Sequence, residues 1–291
     1  MRIGLLHPGL MGESIGASAQ SAANVQVLWA GEGRSEATRQ RAARHGFEDC
    51  DTIANLVAAS DLIVSVCPPH AAEDVARQVL GLGYSGLYLD GNAISPQRSR
   101  KIGSLLATNK ISYVDGGIVG PPAWKGGTTW LHLSGPRAQE ISNIFSESVL
   151  IANVLGDEIG AASGLKMCFA AYTKGVTSLL CGILATAHQL NVSEALIQQW
   201  ADKGNGLDTK APQNVREVTQ KAWRFVGEME EISATFEHAG LPGEFHQAAA
   251  DIYRRISSFK GAEELPDLQT VLEALIDGNE DESKARTALG E

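Results

Sequence analysis

An ammonium group lies in the middle of an otherwise apolar, helix-forming segment. Residues 164–175 read GLKMCFAAYTKG and place Lys166 and Lys174 among leucine, methionine, phenylalanine and alanine. With 3.6 residues per helical turn, small and polar side chains fall on one narrow stripe, and apolar side chains cover the rest. The members of this stripe are Ala162, Ser163, Lys166, Ala170, Thr173, Lys174 and Thr177. Because small neighbours leave room for a ligand, Lys166 is a candidate acid/base group at a binding site.

The chemistry that fits Lys166 is proton transfer during hydride transfer. When an alcohol becomes a carbonyl, a proton leaves the oxygen as the hydride leaves the carbon, and a lysine amine can accept that proton. Its ordinary pKa of about 10.4 is too high for a base at neutral pH, but burial can lower the pKa by up to about 3 to 5. The alternative is that Lys166 extends along apolar surface to reach water. Lys174 is a surface charge or a contact to phosphate or substrate.

A glycine-containing turn follows the first predicted strand. Residues 3–18 read IGLLHPGLMGESIGAS, so the dinucleotide-binding pattern G-x-G-x-x-G has Gly9 and Gly12 at its second and third positions and His7 at its first. Pro8 restricts the backbone where the first glycine would make the turn. The free amides of the following helix would bind phosphate, although a simple strand-to-helix turn remains the alternative. The predicted cofactor contacts here are His7, Pro8, Gly9, Leu10, Met11 and Gly12.

The second predicted strand ends at Ala30 without the acidic residue that would bind an adenosine ribose. The residues that follow offer a guanidinium group and hydroxyls, which suit a phosphate monoester. These residues are Arg34, Ser35, Thr38 and Arg39. The sequence therefore predicts NADP as the cofactor, with NAD as the alternative if Glu32 binds the ribose.

Other candidates follow later predicted strands. Cys67 and Pro68 end the third strand and Asn92 follows the fourth, at the sheet edge where this type of fold binds ligands. Gly117 and Gly120, with the neighbouring Gly116, can present backbone amides to a polar or anionic substrate. The four cysteines form no C-x-x-C pair and have no matching histidine spacing, so we predict no metal site and no redox role for Cys67.

The predicted secondary structure that positions these groups differs between the two halves of the chain. Up to about residue 155, short apolar runs alternate with helical segments, which predicts a Rossmann-type, doubly wound α/β domain with parallel strands. The predicted strands are residues 2–6, 25–30, 61–67, 86–90, 111–115, 128–134 and 149–155. From residue 156 to about residue 276 the chain shows helical spacing, with breaks at 204–206, 240–243 and 261. Residues 156–291 are therefore predicted to form an all-helical domain for substrate binding and dimerisation. Residues 277–291 are predicted to be a flexible acidic tail.

Charge and hydropathy limit the possible partners. The chain has 24 Lys and Arg against 34 Asp and Glu, and its net charge of -10 disfavours nucleic acid and anionic membranes. The longest apolar run, residues 175–187, is shorter than the roughly 20 residues that cross a bilayer. We predict a cytoplasmic protein with a small-molecule substrate. The helical half has more apolar surface than a small domain can bury, which predicts a homodimer through that domain.

Four segments, in order and spacing, resemble the β-hydroxyacid dehydrogenase family, a superfamily that also includes 6-phosphogluconate dehydrogenase and the imine reductases. They are residues 3–12 (IGLLHPGLMG), 90–96 (DGNAISP), 114–122 (VDGGIVGPP) and 160–171 (GAASGLKMCFAA). The resemblance implies a nucleotide domain followed by a helical domain, with Lys166 as the acid/base. Substrate contacts are expected at Gly117, Val119, Gly120, Ala170 and Lys174.

The chain departs from that family at two positions. Val119 stands where the family has a serine, and Ala170 stands where it has an asparagine. A divergent branch is therefore indicated. The sequence predicts an NADP-dependent oxidoreductase that interconverts an alcohol and a carbonyl in a small polar or acidic metabolite. The alternatives are an imine reductase, although its lysine position commonly holds another residue, and a non-catalytic NADP-binding protein.

Overall fold

A computed structural model describes residues 1–22 and 24–278 of the chain. Within these residues one sheet of eight strands is formed, in the order β3-β2-β1-β4-β5-β6-β7-β8. The strands are β1 (Arg2–Leu5), β2 (Gln26–Trp29), β3 (Glu48–Asp49), β4 (Leu62–Ser65), β5 (Leu87–Asp90), β6 (Ser112–Val119), β7 (Trp130–Ser134) and β8 (Ile151–Val154). Every residue of β4 and β5 is buried, because helices cover both faces of the sheet centre.

The sheet is parallel except at one pair. Strands β6 and β7 run antiparallel, with Asp115 opposite Ser134 and Val119 opposite Trp130. The expectation of parallel pairing throughout is wrong here, since the short connection between these strands has no crossover helix and can only reverse the chain. All seven predicted strands are confirmed. Strand β3 was not predicted because its two residues, Glu48 and Asp49, are exposed and acidic and carry no apolar pattern.

Six helices connect the strands within the described part of this region. They are α1 (Leu10–Ala19), α2 (Glu36–Arg44), α3 (Ile53–Ala59), α4 (Ala72–Gly81), α5 (Pro96–Ala107) and α6 (Ala138–Ile144). Helices α2 and α3 begin with side-chain caps, Ser35 and Thr52, each of which accepts a hydrogen bond from a backbone amide in the first turn. The predicted Rossmann-type α/β fold is confirmed.

The rest of the described chain is helical, as predicted. Its helices are α7 (Ala161–Gln189), α8 (Ser193–Lys203), α9 (Leu207–Val218), α10 (Ala222–His238), α11 (Glu244–Arg255) and α12 (Leu268–Asp277). Gly204 ends α8 in the left-handed conformation, with φ of 65°, which explains the predicted break there. Residues 279–291, most of the predicted acidic tail, lie outside the described residues.

The chain divides into two compact units, one from Met1 to Phe169 and one from Ala170 onward. The division falls inside α7, whereas the predicted domain boundary at residue 155 falls where the last strand ends. The first turns of α7 therefore belong with the sheet. This places Lys166 in the first unit and Ala170 and Lys174 in the second.

Helix α7 is long and apolar enough to cross a membrane by length and composition alone. It has 29 residues, and its most apolar window has a mean hydropathy of 1.4, with 39% of that window buried. The whole helix is thus longer than the apolar run at residues 175–187. The core helix of a soluble protein passes the same test, so this test by itself does not show a membrane span.

Candidate functional site

The turn between β1 and α1 uses its two glycines in different ways. A β-carbon on Gly12 would lie 2.2 Å from the His7 carbonyl oxygen, so no side chain fits where α1 packs on the strand. A β-carbon on Gly9 would meet no atom within 4 Å, so its backbone is open to a ligand. These are the roles expected of the third and second glycines of the dinucleotide pattern. The carbonyl oxygen of His7 also accepts a hydrogen bond from the Gly9 amide, at 2.8 Å, which closes the turn without a first glycine.

His7 and Arg34 are neighbours beside this turn. Burial, with a further contribution from the Arg34 charge, lowers the pKa of His7 to about 4, so the imidazole is neutral at pH 7. The Arg34 Nη2 donates to the Leu6 carbonyl at 3.3 Å, and burial lowers the pKa of this guanidinium. Among the described residues, neither the His7 Nδ1 nor the Arg34 Nε has a hydrogen-bond partner. These buried nitrogens are suited to contact a cofactor bound at the open Gly9 backbone.

The start of α2 forms the second part of the nucleotide region. The Ser35 hydroxyl caps the helix and lies 3.1 Å from the Thr38 hydroxyl. Sequence reasoning did not select Arg41, whose Nε donates to the Pro8 carbonyl at 3.0 Å and whose Nη2 donates to the Thr38 hydroxyl. The amphipathic spacing of α2 alone gives no sign of this contact. Arg41 therefore links the predicted phosphate-binding helix to the glycine turn.

A carboxylate lies beside the end of β2, although β2 itself contributes none. The Asp49 Oδ1, from β3, accepts hydrogen bonds from the backbone amides of Gly31, at 2.9 Å, and Asp51, at 2.8 Å. Since β3 was not predicted, this residue was missed. Its carboxylate is already bound to backbone amides, so its presence does not by itself indicate a ribose contact.

Asn92 ties together the carboxyl ends of β4 and β5. Its Oδ1 accepts from the Cys67 amide at 2.6 Å, and its Nδ2 donates to the Ser65 hydroxyl at 3.1 Å. Asn92 is buried and fixes the loop that contains Cys67 and the exposed Pro68. Burial raises the pKa of the Cys67 thiol to about 12, so the thiol stays protonated. A cofactor contact by Asn92, Cys67 or Pro68 stays a prediction.

Two buried carboxylates lie side by side where Asp90, the last residue of β5, pairs in register with Asp115, in the middle of β6. Burial raises the pKa of Asp90 to about 7, with the Asn92 amide opposing the shift and Asp115 adding to it. The Asp90 Oδ1 accepts from the Asn92 amide at 2.9 Å, and its Oδ2 has no hydrogen-bond partner in the described part of the chain. Asp115, in contrast, accepts several hydrogen bonds, including those from the amides of Gly160 and Ser163.

Lys166 lies against strand β6, at the predicted substrate glycines. A β-carbon on Gly117 would lie 2.5 Å from the Ala162 carbonyl oxygen and 3.0 Å from the Lys166 Cβ, so α7 packs directly on the backbone of this strand. Lys166 itself is half-buried. The structure thus brings Lys166 and Gly117 together, whereas their roles toward a substrate stay predictions.

The other two substrate candidates on β6 and its loop have different environments. Val119 is buried, at 7% exposure. Gly120 has a φ of 118°, and a β-carbon there would lie 2.2 Å from the Thr128 carbonyl oxygen, so the turn requires glycine.

The loop that follows carries Trp124, whose ring stacks on His45 at 5.3 Å between centroids, and Glu13 binds His45 at 2.9 Å. Sequence reasoning missed this contact because the three residues are far apart in the chain.

Ala170 and Lys174 lie in the second unit. Ala170 is buried. Lys174 forms an ion pair with Glu228, its ammonium lies 4.7 Å from the Phe225 ring centroid, and its carbonyl accepts from the Tyr253 hydroxyl. These contacts account for its burial without a substrate. The substrate role of Lys174 stays a prediction.

The first unit has the features that a bound dinucleotide would use, namely the open backbone at Gly9 and the buried nitrogens of His7 and Arg34. The Lys166 stem lies beside Gly117 in the same unit. In the described residues, no three His, Cys, Asp or Glu side chains are grouped so that they could hold a metal ion.

Comparisons with known proteins agree with this architecture. Residues 2–146 match the NAD binding domain of 6-phosphogluconate dehydrogenase, and residues 187–256 match a domain of unknown function, DUF1932. An uncharacterised 28.5 kDa protein of Methanothermus fervidus, named for its position in the 7S RNA 5' region, is 30% identical over 68% of this chain and 75% of its own length.

Two solved structures have the same fold over most of the chain. A conserved protein of unknown function, described as structurally similar to 3-hydroxyacid dehydrogenases, is 27% identical with a TM-score of 0.64, covering 88% of this chain and 98% of its own. The 3-hydroxyisobutyrate dehydrogenase of Mycobacterium tuberculosis, solved with L-serine, is 17% identical with a TM-score of 0.67, covering 94% and 98%. At that identity the second comparison shows the fold alone.

Proposed function

We infer that this chain, which belongs to the family carrying the NAD binding domain of 6-phosphogluconate dehydrogenase, is an NADP-dependent oxidoreductase that interconverts an alcohol and a carbonyl. The substrate is a small polar or acidic metabolite. The observation that carries the proposal is the contact of the Lys166 stem with Gly117, on the strand end where the predicted substrate glycines lie. Family membership supports a nicotinamide cofactor, and the choice of Lys166 as the acid/base is our own.

Lys166 would act as the proton acceptor in alcohol oxidation and as the proton donor in carbonyl reduction. When bound, the nicotinamide cofactor supplies or accepts the hydride. The amine must then lie within hydrogen-bond reach of the reacting oxygen. Gly117 leaves no side chain between β6 and α7, so the Lys166 stem lies close to the strand backbone. The backbone amides of the glycine loop can orient the substrate oxygen or its anionic group.

NADP is the proposed cofactor because of the charges near the start of α2. Arg34, Ser35 and Thr38 provide a guanidinium and two hydroxyls at a helix start, which suit a 2'-phosphate. Arg41 adds a second guanidinium, bound to the Thr38 hydroxyl at 2.9 Å. Asp49, a carboxylate beside the end of β2, already accepts hydrogen bonds from two backbone amides. NAD remains the alternative cofactor.

A spectrophotometric screen tests the proposal. The purified protein is assayed for NADP-linked oxidation of hydroxyacids, sugar acids and phosphosugar acids, and for NADPH-linked reduction of the corresponding carbonyls. Lys166→Ala is expected to lower kcat for the best substrate by about 10³-fold, with NADPH affinity changed by less than about threefold, since general acid/base groups contribute about 10²- to 10⁴-fold.

The matched control is Lys101→Ala, which removes another lysine of the same unit. Lys101 is exposed and pairs with Glu73 on the surface, at 2.9 Å. The kcat and the NADPH affinity of the Lys101→Ala variant are expected to equal those of the wild type. A Lys166→Ala protein that binds NADPH and turns over at the wild-type rate would exclude the proposed proton transfer.

Imine reduction is the second candidate, favoured by two apolar residues. Val119 and Ala170 stand where the resembled family has a serine and an asparagine, so contacts to a substrate hydroxyl or carboxylate are missing from those positions. Cyclic imines therefore belong in the same screen. Turnover of imines without turnover of any hydroxyacid would reverse the choice, and NADPH binding without turnover on the whole panel would indicate a non-catalytic NADP-binding protein.

A homodimer through the helical unit is also proposed, in the cytoplasm. Large apolar side chains are exposed on this unit, including Tyr172, Leu179, Leu190 and Phe245. Leu179, Leu190 and Phe245 border an apolar groove of about 530 Å³ between α7, α8 and α11. A surface of this kind favours association with a second copy. Light scattering at micromolar concentration is expected to give twice the mass of 30.8 kDa, and a monomer would contradict the proposal.

A further inference from the structure

The Asp115 carboxylate is buried and accepts several hydrogen bonds from neighbouring elements. It is 1% exposed, and its two oxygens accept five hydrogen bonds. Its Oδ1 accepts from the Ser99 hydroxyl at 2.8 Å and from the Ser163 hydroxyl at 2.5 Å. Its Oδ2 accepts from the Ser134 hydroxyl at 3.1 Å and from the amides of Gly160 and Ser163, at 3.0 and 2.9 Å. One strand residue thus binds α5, β7 and α7 at once.

Three of these bonds hold the start of α7. The first amides of a helix have no partner within the helix, and a carboxylate is the favoured partner for them. Here Asp115 supplies it from another strand, and the Ser134 hydroxyl accepts from the Ala162 amide at 3.0 Å. The start of α7 is therefore tied to β6 and β7, so its position along these strands is set by Asp115.

Asp115 and Gly117 lie on the same face of β6, because alternate residues of a strand point the same way. Asp115 accepts hydrogen bonds from the amides of Gly160, just before α7, and of Ser163 in its first turn. The Gly117 backbone packs against the same part of the helix, at Ala162 and Lys166. Ser163 and Lys166 are three residues apart and therefore lie on one side of the helix. A change in the Asp115 contacts would shift the Lys166 stem relative to the glycines of β6.

We propose that Asp115 is a positioning residue for Lys166, which it holds at the substrate glycines by binding the start of α7. The inference rests on the proposed function for its effect on turnover, and its effect on the lysine can be measured without any substrate. Asp115 touches neither substrate nor cofactor in this role.

The test compares Asp115→Ala with Asp115→Asn. Alanine removes all five acceptor contacts. Asparagine keeps an oxygen for the Gly160 and Ser163 amides, while its NH2 can donate to the Ser99 and Ser163 hydroxyls. Asp115→Ala is expected to lower kcat about 100-fold, as a misplacement of about 1 Å does, with KM for NADPH within about threefold. Asp115→Asn is expected to recover kcat to within about tenfold of the wild type.

The second readout is trace labelling of lysines by acetic anhydride, followed by mass spectrometry. In Asp115→Ala the labelling rate of Lys166 is expected to change at least about threefold, while that of Lys101 stays constant. If the wild type turns over no substrate, this rate still decides the inference. If Lys166→Ala keeps full turnover, the proposed function fails and the labelling result stands by itself.

Two further variants complete the design. Ser163→Ala removes only one hydroxyl, so it serves if Asp115→Ala does not fold, and a smaller change of kcat and of Lys166 labelling in the same direction is expected. Asp61→Asn is the control, since Asp61 binds the Arg2 amide at 2.7 Å. An unchanged kcat and an unchanged Lys166 labelling rate in folded Asp115→Ala, or in Ser163→Ala where the first does not fold, overturn the inference.

Discussion

The two compact units bury polar groups in different ways. In the first unit, buried polar side chains gather at the carboxyl ends of β4 to β7, where they bind backbone amides and one another, and the Asp90 Oδ2 has no partner in the described residues. In the second unit, Lys174 and Glu228 form a mostly buried ion pair, packed on Phe225. The comparison separates Asp90, a buried carboxylate that is incompletely paired at the predicted ligand edge, from an ion pair whose two partners account for each other's burial.

The largest expected effect is on stability, from Asp90→Asn. The pKa of Asp90 is about 7 in the folded protein and about 3.8 in the unfolded chain, so the folded state binds the proton more tightly. Stability from this group falls as the pH rises from about 4 through about 7. Asparagine has no proton to lose and keeps an oxygen for the Asn92 amide, so it should stabilise the protein by about 4 kcal/mol at pH 8 and by less than half of that at pH 5.

Urea unfolding followed by circular dichroism at both pH values measures this difference. A gain that is equal at pH 5 and pH 8, or no gain at pH 8, would contradict the assignment of the raised pKa to Asp90. Asp90 would then no longer serve as the example of a buried, incompletely paired carboxylate in the first unit.

Breaking the ion pair of the second unit should have the next largest effect. The side chains of Lys174 and Glu228 are 12% and 15% exposed, so Lys174→Met removes the cation that pairs with a mostly buried carboxylate. This should destabilise the fold by about 3 kcal/mol, and the double variant with Glu228→Gln should recover most of the loss. The measurement is again urea unfolding. A loss of substrate affinity with unchanged stability would instead support the predicted substrate role of Lys174.

Gly117→Ala and Gly9→Ala should separate packing from ligand binding within the first unit. A β-carbon at residue 117 would overlap the Ala162 carbonyl, which should cost about 2 kcal/mol of stability. At residue 9 it would meet no protein atom within 4 Å, so stability should stay constant while NADPH affinity falls. Thermal unfolding and NADPH fluorescence titration give the two quantities. Equal losses of stability in both variants would show that the Gly9 backbone does not face a ligand.

The smallest effect concerns cofactor choice. Arg34→Ala should raise the Kd for NADPH about tenfold, equivalent to about 1.4 kcal/mol, and should leave the Kd for NADH within about twofold. Fluorescence titration with both cofactors measures this ratio. Equal weakening of NADPH and NADH would mean that Arg34 contacts a part common to both, and NAD would become the better proposal.

Much of the fold could be predicted, because strands, helices and turns leave local patterns of apolar residues and glycines in the sequence. All-apolar runs identified the buried strands such as β4 and β5, and the glycine turn was placed correctly after β1. The resemblance to the superfamily that includes 6-phosphogluconate dehydrogenase is confirmed by the match of residues 2–146 to the NAD binding domain of that enzyme. Strand β3 and the antiparallel pairing of β6 with β7 were not predicted, since pairing direction and two-residue strands leave no periodic signal in the chain.

The candidate site was predicted only in part. Lys166, Gly9 and Gly12 were recognised from residue type and spacing. Asp115, Asp49 and Arg41 were missed, since each acts on residues distant in sequence, and a single buried acid or a surface arginine has no pattern of its own.

The sequence by itself determined which elements form, where the nucleotide turn lies and which lysine stands out on an apolar helix, because these follow from the order of side chains along one segment. Only the tertiary structure decided that Lys166 lies against Gly117, that Lys174 pairs with Glu228 and that Asp115 binds the start of α7. The physical reason is that such contacts depend on how separate segments pack. One buried carboxylate meets its five donors only after three elements have come together around it.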